Sequence, residues 1–291
     1  MKLQHVGILL AALLLSACGE SSQTFLLDNP TNAPITLSLD GQTHEIPANT
    51  SSELKLAPGA HELRNEKLGE VRFIVYAGGK GALINPTLSD YIIANQIYVT
   101  DESKLSSFGQ LKNKVALDGV EFIGPFWQSH DLFIANAWNF GPREAFPETM
   151  ELSHVPTDGG KFYSKLFTAQ EFIDYYESEY GASGYFSSQR PDGFVQPPHS
   201  LERPSSTLPE MHPEFEAHSG PLRDIYARYL KATDPKEQRQ LQKAFGDAMN
   251  AFSSATSTVA SSKLPMEANQ IHSDFVKSVY GAISKTAQVI D

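Results

Sequence analysis

Between Thr24 and Tyr76 apolar and polar residues alternate in short runs, TFLLD, ITLSL, QTHEI, SELKL, HELR and EVRFIVY, separated by turn residues. A period of two puts successive side chains on opposite faces of a sheet, so each run predicts a strand. In SELKL, Leu54 and Leu56 share one face while Glu53 and Lys55 share the other, which sets Leu54, Leu56, Phe73 and Val75 inward. Asp40-Gly41 predicts a two-residue hairpin turn, and Pro58-Gly59 a second reversal.

After Tyr91–Val99, a further strand, residues 113 to 167 are rich in aromatic side chains and offer KVALDGVEFIG, DLFIANAWNFG and KFYSKLF as strand candidates. Thr168 and Glu171 have the spacing of a capping box, opening a helix that carries Phe172, Ile173, Tyr175 and Tyr176 and stops at Gly181. From Ala182 to Gly220 the chain is dominated by Ser, Pro, Gly and His without apolar periodicity, which predicts irregular surface chain. The periodicity then becomes helical, over Pro221–Lys231, from Asp234-Pro235 through Leu241, Phe245, Met249 and Phe252, and after Pro265 through Ile271, Phe275, Val279 and Ile283. The fold class expected is α+β: a β-sandwich over 24–110, an aromatic-rich α+β segment over 111–181, an irregular linker over 182–220 and a helical module over 221–291.

Ahead of the first strand, Lys2 precedes a ten-residue apolar run from Val6 to Leu15, followed by Ser16, Ala17 and the only cysteine, Cys18. The order is that of a secretory signal over residues 1–17, and the run is short of the about 20 apolar residues that span a bilayer. Leu15-Ser16-Ala17-Cys18 resembles the bacterial lipobox. That resemblance implies cleavage between Ala17 and Cys18, lipidation of the Cys18 thiol, and residence in the cell envelope; in a Gram-negative host, Gly19 after the cysteine implies the outer membrane, facing the periplasm. More than one acyl chain makes such an anchor stable. The tether expected at 18–23 is short, since the five residues from Gly19 to Gln23 reach at most about 17 Å. With Cys18 lipidated the mature chain has no disulfide, and its core alone must hold it.

Residues about 34–76, with Asp40-Gly41, Pro47, LKLAPGAHEL and a glycine before VRFIV, resemble the PEGA-type β domain of bacterial envelope proteins, which implies a β-sandwich without a catalytic role. The formal net charge is −11, one unit more negative once Lys2 leaves with the signal, which disfavours nucleic acid and anionic lipid as partners.

Candidate chemistry is sparse. EMHPEFEAH gathers Glu210, His212, Glu214, Glu216 and His218, and His212 and His218 are the candidate metal ligands, although their spacing matches no helical zinc pair. Ser129-His130-Asp131 has the residue types of a triad but lacks a Gly-x-Ser-x-Gly turn, and neighbours on a strand face opposite ways. Gly78, Gly79 and Gly81 around Lys80 lack the phosphate-loop spacing and predict a turn. Phe126, Trp127, Phe133, Trp138 and Phe140 suggest a sugar-stacking platform, against which alternation sends some of them inward. The function expected is therefore a non-catalytic envelope lipoprotein, a membrane-anchored protein-binding or structural module with an envelope protein as partner and no cofactor. The alternative is an envelope hydrolase or glycan-binding protein using His130, Asp131 or the 210–218 cluster.

Overall fold

The computed structural model describes residues 21–107, 112–151, 159–259 and 263–290, so the lipobox with Ala17 and Cys18 lies outside the described residues. In chain order the strands are β1 (Gln23–Asn29), β2 (Ile35–Leu39), β3 (Gln42–Ile46), β4 (Thr50–Leu56), β5 (Gly59–Asn65), β6 (Gly69–Val75), β7 (Ala82–Ile84), β8 (Tyr91–Val99), β9 (Asn113–Leu117), β10 (Val120–Gly124), β11 (Phe126–Ser129), β12 (Phe133–Ala135), β13 (Gly160–Thr168) and β14 (Ala287–Ile290). The helices are α1 (Ala169–Glu179), α2 (Tyr185–Gln189), α3 (Pro213–Glu216), α4 (Gly220–Tyr229), α5 (Pro235–Thr256) and α6 (Met266–Ser284). The fold class is α+β, as expected.

Among the described residues the strands form a five-stranded sheet ordered β14-β6-β5-β2-β3, a four-stranded sheet ordered β12-β7-β1-β4, a three-stranded sheet ordered β11-β8-β13 and the β9–β10 hairpin. Each sheet buries both faces in part, and the alternation decides which side chain goes where. From β6, Val71, Phe73 and Val75 meet Phe25, Leu27, Leu56 and Ile84 in the core between the two larger sheets. From the same strand Ile74 and Tyr76 point the other way, into a core with Leu222, Tyr229, Leu241, Phe252 and Phe275 of α4, α5 and α6. The outward row of the four-stranded sheet, Leu26, Leu83 and Ile134, packs on Tyr91 and Leu166 of the three-stranded sheet. That sheet's far side, with Ile92, Ala94, Phe126 and Phe167, is covered by the β9–β10 hairpin and by Phe172 and Ile173 of α1. Full burial of each large apolar side chain contributes about 1.5–3 kcal/mol.

The local signals act as their chemistry requires. Asp40 and Gly41 both take positive φ, 50° and 78°, and close the β2–β3 hairpin with Leu39 opposite Gln42. Thr168 and Glu171 form both halves of the capping box on α1. Asp234 caps α5, its side chain accepting from Lys236 N at 3.2 Å.

Elsewhere long-range pairing overrides the expected boundaries. Pro58-Gly59 carries the chain from one sheet to another, for β4 pairs with β1 and β5 with β2 and β6. Gln23, expected at the end of the tether, opens β1, and its side-chain amide donates to Tyr76 O at 2.5 Å. Strand β8, from the 24–110 span, pairs with β11 and β13 of the 111–181 span; β12 pairs back to β7, and β14, from the helical 221–291 span, pairs with β6. The helical layer is also held by Gln238 of α5, which is fully buried. Its Oε1 accepts from Ala77 N at 2.7 Å, and its Nε2 donates to Val75 O at 3.3 Å and Ala232 O at 2.8 Å.

The 182–220 segment is mostly irregular, as expected, yet it is a strap rather than a free linker. Phe186 packs on the core under α1, Phe194 on Gly119, Leu201 on the core between the large sheets, and Leu208, Met211 and Phe215 on the helical core. These apolar residues recur too sparsely to give a period, each docking on a different layer.

A buried ionic network joins three of the layers. Asp28 of β1 is fully buried and accepts from Tyr91 of β8 and from Arg143 in the loop before β13. Burial raises the Asp28 carboxyl above its ordinary value even though Tyr91, Arg143 and Ser51 all favour its charged form. Arg143 N donates to Glu171 Oε1 at 2.7 Å, and the same oxygen receives Lys165 Nζ at 3.3 Å.

Arg143→Met leaves the Asp28 carboxylate without its cation and is expected to cost about 3–5 kcal/mol, part of which Asp28→Asn restores in the double variant. Urea unfolding of the four proteins measures this, and strictly additive losses would contradict it. A serine elastase is expected to cut first after Val195 of the strap, which is 81% exposed. The two fragments should stay associated through the β6–β14 pairing in gel filtration without denaturant and part only when unfolded.

Candidate functional site

The densest convergence of ligand-type side chains lies where the strap crosses the end of the three-stranded sheet. Asn85-Pro86 opens a tight turn in which Asn85 Oδ1 accepts from Ser89 N at 3.0 Å and Asn85 Nδ2 donates to Ser89 O at 2.8 Å, with Leu88 at φ 47°. Asparagine supplies both bonds from one side chain, which is why the turn is built on it. Asp90 follows directly. His130 comes one residue after β11, whose last registered pair is Ser129 opposite Tyr91, so Asp90 and His130 are brought face to face across the strand ends. His199 arrives on the strap behind Pro197-Pro198, which limit the backbone there.

His199 Nε2 lies 3.0 Å from Asp90 Oδ2, His130 Nδ1 lies 3.9 Å from Asp90 Oδ1, and His130 Nε2 lies 3.9 Å from Glu202 Oε1. The two imidazoles stack with centroids 3.8 Å apart and planes 6° from parallel. The Asp90 side chain is only 11% exposed. Gln128 fixes its orientation, donating from Nε2 to Asp90 Oδ1 at 2.8 Å while its own amide is set by Ala116 N at 3.0 Å and Ala116 O at 2.8 Å. Asp90 and His199 line one end of a cleft of about 590 Å³, with Lys67, Thr87, Gln170 and Gln196 among its polar walls.

Of the expected candidates, only His130 falls in this cluster. His212 caps α3, its Nδ1 accepting from Glu214 N at 3.4 Å, and His218 is exposed beyond the helix; among the described residues neither joins a group able to hold a metal. The acids beside them serve the fold. Glu216 accepts from Arg223 at 2.7 Å through both Nε and Nη2, from Ser219 Oγ at 2.6 Å and from Met211 N at 2.9 Å. Ser129 Oγ accepts from Asp131 N at 3.2 Å, and Asp131 is exposed, so this Ser-His-Asp run is a turn rather than a triad. The glycine-rich stretch leads into β7, where a Cβ on Gly81 would stand 1.8 Å from Thr24 O, a close approach that only glycine permits. Cys18, the lipidation candidate, lies outside the described residues.

The aromatic set divides as alternation requires. Phe126 is buried and Phe133 packs on the core between the large sheets, whereas Trp127 remains 38% exposed. Trp127 shares a row with Ile93 and Leu166, and Phe162, 50% exposed, shares another with Ile97 on the same face of the β11-β8-β13 sheet. The Tyr91 end of that face is covered by the four-stranded sheet, and the Ile97 end is not. Between the two rows Ser164 Oγ donates to Asn95 Oδ1 at 2.7 Å. No protein family, no curated protein and no solved structure matches the chain.

The Arg223 guanidinium holds the Glu216 carboxyl well below its ordinary value of 4.5, at about 2, with Ser219 and Met211 N–H adding to the effect. A carboxyl depressed in the folded state stabilises it above the unfolded value, and that stability is lost as pH falls through the folded one. Glu216→Gln is therefore expected to lower the melting temperature at pH 6 and to flatten its decline between about pH 4.5 and 2. Thermal melts of both proteins across that range measure this, and superimposable curves would contradict it.

Proposed function

We propose that the chain is a bacterial envelope lipoprotein, lipidated at Cys18 and cleaved after Ala17, that works as a membrane-anchored binding module for an envelope protein. In this reading the two larger sheets are a β-sandwich set close to the membrane, in keeping with the PEGA-type resemblance of residues 34–76. The helical span 221–291 is a layer docked on it rather than a separate arm.

The observation that carries the reading is the partly open apolar face of the β11-β8-β13 sheet, where Trp127, Ile93, Ile97 and Phe162 stand on one side of three neighbouring strands. Exposed tryptophan and phenylalanine on a flat face are costly in water and are characteristic of partner contacts. The apolar stripes of α4, α5 and α6 are largely buried against Ile74, Tyr76 and one another. A tether that ends at Ser22, where the first strand takes over at Gln23, keeps that sheet face near the lipid headgroups.

Cys18→Ala is expected to abolish acyl labelling and release the protein from membranes. A photo-reactive residue at position 127 should form a discrete adduct with one envelope protein in cells, and the adduct should disappear when Phe162→Ala is added. Adducts with peptidoglycan alone would favour the glycan-binding alternative, and no adduct in a correctly folded, anchored protein would overturn the reading.

A further inference from the structure

Asp90, His130 and His199 converge from three distant stretches of chain, in a place where hydrophobic packing makes no demand for them. We propose that they form a three-ligand site for a first-row divalent transition metal ion, with Zn²⁺ the ion of choice and the fourth position left to water. This goes beyond the docking role and does not depend on it.

The donor set is the first argument. Two imidazoles and one carboxylate suit Zn²⁺ and its neighbours, whereas Ca²⁺ and Mg²⁺ take oxygen ligands throughout. The distances are the second. Tetrahedral bonds of about 2.0–2.2 Å place ligand atoms roughly 3.4 Å apart. The contacts at 3.0 Å for His199 to Asp90 and 3.9 Å for His130 to Asp90 bracket that spacing, and one donor atom from each of Asp90, His130 and His199 lies within 4.8 Å of the others.

Orientation is the third. A metal carboxylate is held by a neighbour that fixes its rotation. Gln128 does this for Asp90, binding Oδ1 and leaving Oδ2 on the side of His199, and Gln128 cannot turn without losing both bonds to Ala116. Parallel rings aim their in-plane lone pairs side by side, so one imidazole must turn for both to meet an ion. His130, its side chain 31% exposed and its ionic contacts no closer than 3.9 Å, is the ring free to do so. Because His199 belongs to the strap while Asp90 and His130 belong to the sheet ends, the ion clamps one to the other.

The test uses the full chain in detergent, stripped with EDTA and titrated with ZnCl₂ by calorimetry. One equivalent should bind, raise the melting temperature and slow elastase cleavage after Val195. His130→Ala and His199→Ala should each weaken binding by at least tenfold, and Gln128→Ala by roughly ten- to a hundredfold. The double variant His212→Ala, His218→Ala should bind as the parent does. Melts in EDTA identify any variant that has not folded; where a histidine variant fails, Gln128→Ala decides in its place, being expected to weaken binding and to lose the protection at Val195 at a Zn²⁺ concentration that protects the parent. Absence of binding at micromolar Zn²⁺, binding retained in the folded His130→Ala, His199→Ala protein, or binding lost with His212 and His218 would each overturn the proposal.

Discussion

A carboxylate that has no access to water governs how the layers of this protein meet. Asp28 sits near the end of β1 with its charge disfavoured by burial, so wherever β1 goes a cation and a hydroxyl must follow. Tyr91 brings β8 and the three-stranded sheet; Arg143 brings the loop before β13; and the Arg143 backbone brings Glu171 at the start of α1. Replacing such a group with a leucine of matched shape could give a more stable contact, but many apolar sheet faces would then fit equally well. The ionic requirement admits one docking geometry. Burial first and the adjacent carboxylate second raise the Tyr91 hydroxyl well above its ordinary value, so it stays protonated, and a donor, beyond the pH at which a free tyrosine ionises.

The same logic of few, non-interchangeable contacts holds the helical layer. Its apolar faces could slide over the sheet, but Gln238 reads a particular peptide group at Val75 and Ala77, and Gln242 a second one through Ala77 O at 3.0 Å. Tyr76 stacks on Tyr229 at 4.3 Å, 10° from parallel, and fixes the rotation of α4. The first strand and the last helix therefore belong to one packed body.

What sequence pattern could reveal here was whatever is enforced within a few residues. Asp40-Gly41 closes a hairpin because two adjacent residues take positive φ, and Thr168 with Glu171 caps α1 because both partners lie within one turn. β14 escaped notice because Ala287, Val289 and Ile290 follow the stripe of α6 after a break of two residues, and four residues are too few for a period. Pro58-Gly59 reads as a reversal whichever sheet the next strand joins, so the local chemistry was legible and the destination was not. The site shows the same limit. His130 drew attention through Ser129 and Asp131, its chain neighbours, yet the groups it meets are Asp90, His199 and Glu202, each contributed by folding rather than by adjacency. His212 and His218, close in sequence, are held apart in function because α3 uses one as its cap.

The position of β14 at the edge of the five-stranded sheet carries a consequence for the order of events in the cell. Synthesis delivers β6 long before the residues that cover its edge, and β6 is apolar on both faces, with Ile74 and the following Tyr76 awaiting helices that are also still to come. Until Ala287–Ile290 emerge, that strand presents an open hydrogen-bonding edge beside exposed greasy surface, the combination most prone to pair with another chain. A chain that loses its last few residues therefore leaves the β6 edge unpaired, and is expected to associate edge to edge rather than fold as a smaller version of the same body.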